Sequence, residues 1–543
     1  MRTQQAVVSV KNESGNVVVI NSFGGTTTPV QLSIAWHPVA DIVEPSVSQL
    51  LTWRGRLTPL IGREPELVAL QTWVETAPIV SVWTLAGEGG IGKTRLAAEF
   101  ADVLAHKQGW NAGLVTLDKF SDAAELNVHQ HTLLLVDYPE ERPAELARLL
   151  ELVKGYTDVH KLRVLLLTRD AQGVRQRLVE RGARHLEYGT PWKFVPDSVP
   201  PYELFKAAFL AEKALLGTAP TLPSESAFNT WLAKSPLHAN PLFVCAVALT
   251  ARGDSRGIDL VGYNLLERLA EDEMTKILRA AANDEQAGRA AVTAVALATA
   301  FDGLSLATLR ALPQAAALGL DAKKLRLTLL ATRHAVEPGH DTCDLVRLEP
   351  DLYAAAFLEL WHREHWNADT RAALTQAFEH LWSSADVNML VQHWNRLGYD
   401  ASVRLARSRN WVDDWFADSK FAHDHAVAIS QVLLGSLSWN GLPRSAATNG
   451  NHLLSGIDVD IADDATQAAR AQVLNNTSVA KASAGDRDGA LNAAYETVAI
   501  LRLLAEANPA AYEPDLATSV SNLANRLGET GDRDGALKAA HEA

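Results

Sequence analysis

Cysteine is nearly absent from this chain. Cys245 and Cys343 are the only two in 543 residues, and they lie too far apart to build a disulfide framework or a cysteine-based zinc site. They read as buried thiols in a reducing compartment. Long apolar runs are missing too: the longest, such as 290–301, fall short of the roughly 20 residues that span a bilayer. The first residues, MRTQQAVVSVKNESG, hold neither the apolar stretch nor the cleavage site of a signal peptide. A cytoplasmic protein with no membrane partner is the expectation. Basic charge is also in deficit, with 50 Lys and Arg against 64 Asp and Glu and no long basic run. A broad nucleic-acid-binding face is therefore not expected. There is no G-x-S-x-G, no H-E-x-x-H and no Cys/His nucleophile context. His423 and His425 have the spacing of a metal pair, but they read as a solvated helix face.

What remains is an ordinary globular composition, 47% apolar and 21% charged, in a chain too long for one core. Three to five domains are expected. Residues 6–34 alternate apolar and polar side chains between glycines, which predicts short strands in a small β module over 1–53. It either pairs with something else or extends the next domain. From 54 to 197 strands alternate with helices. Strands are predicted over 79–85, 113–117, 132–137, 163–168 and 185–188, and helices over 64–75, 93–107, 143–156 and 171–181. This alternation predicts a doubly wound α/β domain with a largely parallel sheet. Pro191, Pro196, Pro200 and Pro201 then mark a linker or domain edge.

Beyond it the pattern is helical. A helical domain is expected over 198–258, with helices over 202–216, 225–233 and 241–252. Helices and a short strand pair (335–336 with 345–348) predict a winged helix over 259–358. A helical arm follows over 359–462, and 361–439 holds seven of the fourteen tryptophans, read as aromatic core. GDRDGALNAAYE at Gly485 recurs as GDRDGALKAAHE at Gly531, 46 residues on. A fixed period with Ala-rich helices predicts stacked hairpins over 463–543. The second hairpin stops mid-helix at Ala543, so the natural protein is expected to continue.

The residues that carry chemistry begin at Gly87. Gly87, Glu88, Gly89, Gly90, Ile91, Gly92, Lys93 and Thr94 fit G-x-x-x-x-G-K-[ST], between an apolar strand and a helix. In such a loop backbone N–H groups cradle phosphates, the lysine reaches the β- and γ-phosphates, and the threonine hydroxyl ligates Mg²⁺. Downstream, an apolar strand ends in Asp137, placed to hold Mg²⁺ with Thr94, and another ends in Thr168 and Arg169. The planar fork of Arg169 suits a γ-phosphate.

Together GEGGIGKTRLA, the Leu-Leu-Thr-Arg strand and Leu60-Ile61-Gly62-Arg63-Glu64 resemble the STAND ATPases, signalling relatives of AAA+ proteins that include NB-ARC domains. The resemblance covers about 54–355. It implies a P-loop nucleotide-binding domain, a helical domain, a winged helix and tetratricopeptide-like repeats, in that order. It implies ATP or ADP with Mg²⁺, with Ile61, Gly62, Arg63, Arg95 and Pro241 joining the loop in binding nucleotide. Lys93, Asp137 and Glu140 would form the hydrolytic site of a slow ATPase. The family often has a second acid after the Mg²⁺-binding aspartate, where this chain has Tyr138. Many members have a histidine that touches the β-phosphate of ADP. Pro350 stands there, ahead of the motif's aspartate, Asp351. The function implied is a switch that oligomerises through its nucleotide domain, senses a macromolecular ligand on its repeats, and acts through an effector in trans, in bacterial regulation or defence. A DNA-binding transcription regulator, a constitutive hydrolase and a scaffold with an inert nucleotide domain are the alternatives.

Overall fold

Near-continuous apolar runs become strands buried on both faces. The computed structural model describes residues 8–11, 17–20, 34–35, 46–115, 117–120, 126–157, 159–195, 199–211, 221–253, 255–282, 284–339, 342–383, 385–404, 411–417, 419, 425, 429, 433, 441–457 and 463–543. Its strands up to residue 193 are β1 (Val8–Lys11), β2 (Val17–Ile20), β3 (Ile34–Ala35), β4 (Val80–Ala86), β5 (Asn111–Val115), β6 (Asn127–Val128), β7 (Thr132–Asp137), β8 (Leu162–Thr168) and β9 (Trp192–Lys193). The central sheet has the order β3-β5-β7-β8-β4-β9, with five parallel strands and β3 antiparallel at the β5 edge. Leu133, Leu135, Leu165 and Leu167 face helices Glu64–Thr76 and Lys93–Gln108. Leu134, Val136, Val164 and Leu166 face helices Pro143–Lys154 and Ala171–Glu180. The period of two thus divides each strand between two helical layers.

The chain leaves β4 over β8 and β7 to reach β5, and leaves β8 over β4 to reach β9. Neighbouring strands whose connections depart in opposite directions open a crevice at their carboxyl ends, where ligands bind in doubly wound sheets. The fold agrees with a P-loop NTPase sheet, with β8 between the loop strand β4 and the aspartate strand β7.

Several expectations shift. The predicted strand over 185–188 is a 3₁₀ turn, Arg184–Leu186, with a single bridge from Glu187 to Val82. The fifth parallel strand is instead β9, inside the segment read as a linker. The strand predicted over 113–117 starts two residues earlier, at Asn111. Of the N-terminal strands, β1 pairs with β2, β2 with β6 and β3 with β5, so all of them join residues of the α/β region.

Arg163 lies within β8, fully buried, and donates to the carbonyls of Val74, Ala77, Pro78 and Ile79. It satisfies the carboxyl end of helix Glu64–Thr76 from inside the sheet. Burial pushes its pKa down to about 10, so the guanidinium keeps its charge at neutral pH.

The chain forms two compact units. The first holds Met1–Ala280, Leu329–His334 and Leu348–Tyr353. Its later helices are Pro201–Leu210, Glu225–Leu232, Pro241–Gly253 and Tyr263–Ala280. The second holds Ala281–Thr328, Ala335–Arg347 and Ala354–Ala543. It contains an antiparallel sheet of β10 (Leu304–Ser305), β11 (Ala335–Gly339) and β12 (Thr342–Leu345), ordered β10-β12-β11. The expected strand pair is there, with its second strand three residues early and a third strand that two residues were too few to announce. Phe378 contacts Trp361, Trp366, Trp394, Trp411 and Trp415 in the aromatic core of this unit. At the end, helices Asp464–Ser483, Arg487–Ala507, Pro509–Thr530 and Arg533–Glu542 pack in succession. The turn of the 46-residue repeat recurs in the structure: Gly485 and Gly531 are left-handed, and Asp486 and Asp532 cap the next helix through Gly489 and Gly535 N–H. No described helix is long and apolar enough to cross a membrane. His423 lies outside the described residues, and no group of three or more candidate ligands occurs among those described.

One buried polar cluster joins residues 47, 273 and 334 within the first unit. Glu273 accepts Val47 N–H at 2.6 Å, and its other oxygen lies 3.4 Å from His334 Nε2. Burial pushes the Glu273 carboxyl up to about 7, aided by nearby Asp272 and opposed by Lys276 and the Val47 N–H. Burial and Lys276 push His334 down to about 3. A carboxyl raised in the fold stabilises it while protonated, fully below its ordinary value of 4.5, and that contribution is lost as pH rises through about 7. Between pH 5 and 8, Glu273→Gln should therefore flatten the decline in stability by on the order of 3 kcal/mol relative to the parent. Urea denaturation across that range measures it; parallel curves would refute it.

Candidate functional site

The loop from Gly87 to Gly92 joins β4 to helix Lys93–Gln108. Gly90 (φ 76°) and Gly92 (φ 97°) are left-handed, which glycine adopts without a Cβ penalty. A loop that turns N–H groups inward must turn carbonyls outward, and buried carbonyls need donors. Each of four finds one. Lys93 Nζ donates to Gly87 O at 2.7 Å and Glu88 O at 3.0 Å. Asn240 Nδ2 donates to Gly89 O at 2.9 Å, and Arg63 donates to Ile91 O at 3.1 Å. Asn240 and Leu242 press on the loop so closely that a Cβ on Gly90 would stand 2.9 Å from each side chain. The helix beyond begins after Gly92, a residue with no side chain to cap it. A glycine-rich turn at a helix start, with a glycine N-cap and a buried lysine, fits a phosphate.

Thr94 Oγ1 donates to Asp137 Oδ2 at 2.9 Å, joining the helix's first turn to the end of β7. A hydroxyl and a carboxylate beside a phosphate loop are hard oxygen donors suited to Mg²⁺. Glu140, in the short turn Pro139–Glu141, is buried; it accepts Thr168 Oγ1–H at 2.8 Å and Arg169 N–H at 3.1 Å. Burial pushes its pKa up, opposed by these hydrogen bonds and by the charge of Lys93. Its carboxyl thus braces the end of β8. Arg169 donates to Asp351 Oδ2 at 3.1 Å, with both side chains 7% exposed, and Tyr138 Oη donates to the same oxygen at 3.2 Å.

The structure therefore gathers Gly87, Gly89, Gly90, Ile91, Gly92, Lys93, Thr94, Asp137, Glu140 and Arg169 around the carboxyl ends of β4, β7 and β8. Arg63 is engaged within the protein: it pairs with Glu66 at 2.8 Å, reaches Val195 O, and lies over the Phe194 ring at 4.0 Å. Burial lowers its pKa, opposed by Glu66. Arg95 donates to Trp53 O and Thr58 O and pairs with Glu99, tying the chain at 53–58 to the loop's helix. Gly62 is a left-handed turn ahead of Arg63, and Ile61 beside it is half-buried. Pro241 starts helix Pro241–Gly253, but the loop contacts come from its neighbours Asn240 and Leu242. Those two, with Thr168 and Asp351, are site residues the motif reading did not weight as contacts. Asn240 could have been suspected as a short amide before a helix-starting proline.

No family model matches the chain, and no curated protein is significantly similar to it. Among solved structures, it is similar to a Signal Transduction ATPase with Numerous Domains with a tetratricopeptide repeat sensor from Pyrococcus horikoshii, at 14% identity and TM-score 0.29, over 90% of this chain and 77% of that one. It is also similar to the Orc1 protein of Aeropyrum pernix, solved in complex with DNA, at 14% identity and TM-score 0.29, over 57% of this chain and 96% of that one. At those scores the assignment of a P-loop sheet rests on this chain's own strand order and loop.

Gly90→Ala should dislodge the loop from Asn240 and Leu242, because both its left-handed backbone and its 2.9 Å neighbours oppose a Cβ. Thermal denaturation of the nucleotide-free chain should show a loss of about 1–3 kcal/mol. An unchanged midpoint would mean the loop is not clamped as described.

Proposed function

We propose that this chain is a nucleotide-gated switch, a P-loop ATPase in signalling or regulation. The observation that carries the reading is the placement of Arg169. It sits at the end of the strand beside the phosphate loop, and its guanidinium is held on Asp351 in a nearly dry setting. A cation at that position can serve a γ-phosphate or Asp351, and the choice between them is a switch. Asp351 starts helix Asp351–His365, whose later residues belong to the second unit, so the chain itself links this choice to the rest of the protein.

In this reading the loop's N–H groups bind the α- and β-phosphates of ATP or ADP, and Lys93 turns from the loop carbonyls to the β- and γ-phosphates. Thr94 and Asp137 hold Mg²⁺, which neutralises phosphate charge when bound. Glu140 holds Thr168 and Arg169 in place. With its oxygens so engaged it is a poor base for an attacking water, in keeping with slow turnover. The finer parts of the proposal are the domain boundaries set out above, a winged helix over 259–358, tetratricopeptide-like repeats over 463–543 that sense a macromolecular ligand, self-association through the nucleotide domain, and a cytoplasmic effector partner. The three-stranded sheet beside helix Glu285–Ala300 and the repeated Gly-Asp turns support the two domain readings.

Lys93→Ala should abolish retention of ADP and ATP, read by chromatography of the nucleotide released from denatured protein. Retention in that variant would refute the phosphate-loop assignment. Arg169→Ala should leave ADP affinity within about twofold and weaken ATP by roughly tenfold or more. Equal loss of both would remove the switching role, and rapid constitutive hydrolysis by the parent chain would favour a plain hydrolase.

A further inference from the structure

Tyr138 is the residue that the binding chemistry does not use and the backbone singles out. It follows Asp137 at the end of β7 with φ 50° and ψ 54°. Non-glycine residues rarely take this left-handed conformation, and it persists only where the surroundings enforce it. The Tyr138 N–H donates to Leu167 O at 3.0 Å, and its side chain makes two contacts that matter here. The guanidinium of Arg169 lies 5.7 Å from the Tyr138 ring centroid, within cation–π range. The phenol donates to Asp351 Oδ2 at 3.2 Å, the oxygen that Arg169 reaches at 3.1 Å. One ring thus supports the cation from its face and the anion from its hydroxyl.

A carboxylate buried to 7% exposure needs more than one good donor, since an under-solvated charge is costly. The phenol supplies a neutral donor without adding charge. A carboxylate at 138 would set a second anion against Asp351, and a ring without a hydroxyl would keep the support under Arg169 while removing the donor. We propose that Tyr138 is a positioning residue that fixes Asp351 on Arg169 and so sets how readily Arg169 is released to a γ-phosphate. This rests on the switch reading above, and it adds a control to it: the identity of residue 138 sets the balance between the two anions.

The test uses the full chain in two measurements. Without nucleotide, a thermal double-mutant cycle of Tyr138→Phe and Asp351→Asn should show coupling, with the loss from Tyr138→Phe shrinking in the Asp351→Asn background. With nucleotide, the ratio of ADP to ATP dissociation constants should shift toward ATP by roughly tenfold in Tyr138→Phe. Asp351→Asn approaches the same contact from its other side and should shift the ratio alike, with no further shift in the double variant. Additive melting losses, or an unchanged ratio in variants that bind both nucleotides, would overturn the role of Tyr138 while leaving the switch standing. A parent chain that binds neither nucleotide would overturn both.

Discussion

A phosphate loop has to hold its carbonyls. Its inward N–H groups are useful only if the outward oxygens are satisfied when no phosphate is present, and in this chain the donors come from widely separated segments. Arg63 stands at the head of helix Glu64–Thr76, Asn240 just before helix Pro241–Gly253, and Lys93 at the start of the helix that follows the loop. The same helix Glu64–Thr76 is held at its other end by Arg163, the second residue of β8. The loop's conformation is therefore a property of the whole first unit, and each donor is a place where a distant change can reach it. Lys93 differs from the other two. Its bonds to Gly87 O and Glu88 O are ones a flexible ammonium can exchange for phosphate oxygens, whereas the fork of Arg63 is fixed by Glu66 and Phe194.

This explains what the sequence could and could not reveal. β7 and β8 were legible because a strand buried on both faces leaves an unbroken apolar run, and Thr132–Asp137 emerges with the predicted bounds. The helices after Gly92 and Pro143 were legible from their periodicity and start signals. β9 was not, because two residues carry no period and their partner is a strand more than a hundred residues earlier. Prolines around it suggested a linker, yet Phe194 packs against Gly87 and Arg63 there. The loop itself was legible from spacing, but not the groups that hold it. Arg63 carried a nucleotide-binding expectation by resemblance, and its partners turn out to be protein carbonyls, a carboxylate and a ring. Arg169 and Asp351 were each noticed, at positions 182 residues apart, and nothing in the local pattern of either pointed to the other.

The left-handed Tyr138 belongs with these non-local features. Its conformation costs energy, and among the contacts set against that cost are Arg169 and Asp351, which come from two other segments. Glu140, two residues on, holds the backbone of the same arginine by taking its N–H, along with the hydroxyl of Thr168. Arg169 is thus held at its backbone by Glu140 and at its guanidinium by Asp351 and the Tyr138 ring, and a phosphate that takes the guanidinium has to displace Asp351.

How far a γ-phosphate alone could move such a switch is a question of magnitude. Shifting a two-state balance from 1:99 to 99:1 takes about 5.5 kcal/mol of differential affinity. The γ-phosphate gains Arg169, a charge-assisted bond of roughly 1.5–3 kcal/mol, and a share of Lys93, but it must first break the pairing with Asp351, which is of similar kind. Exchanging one buried anion for another on the same cation leaves a small net difference. In the proposed switch ATP therefore biases the balance without completing it, and the remainder has to come from a second ligand with its own preference between the two states. The continuity of Asp351 with helix Asp351–His365 makes the second unit the natural place for that ligand to act, since strain applied to the helix reaches Asp351 through covalent geometry and needs no change at the phosphate loop.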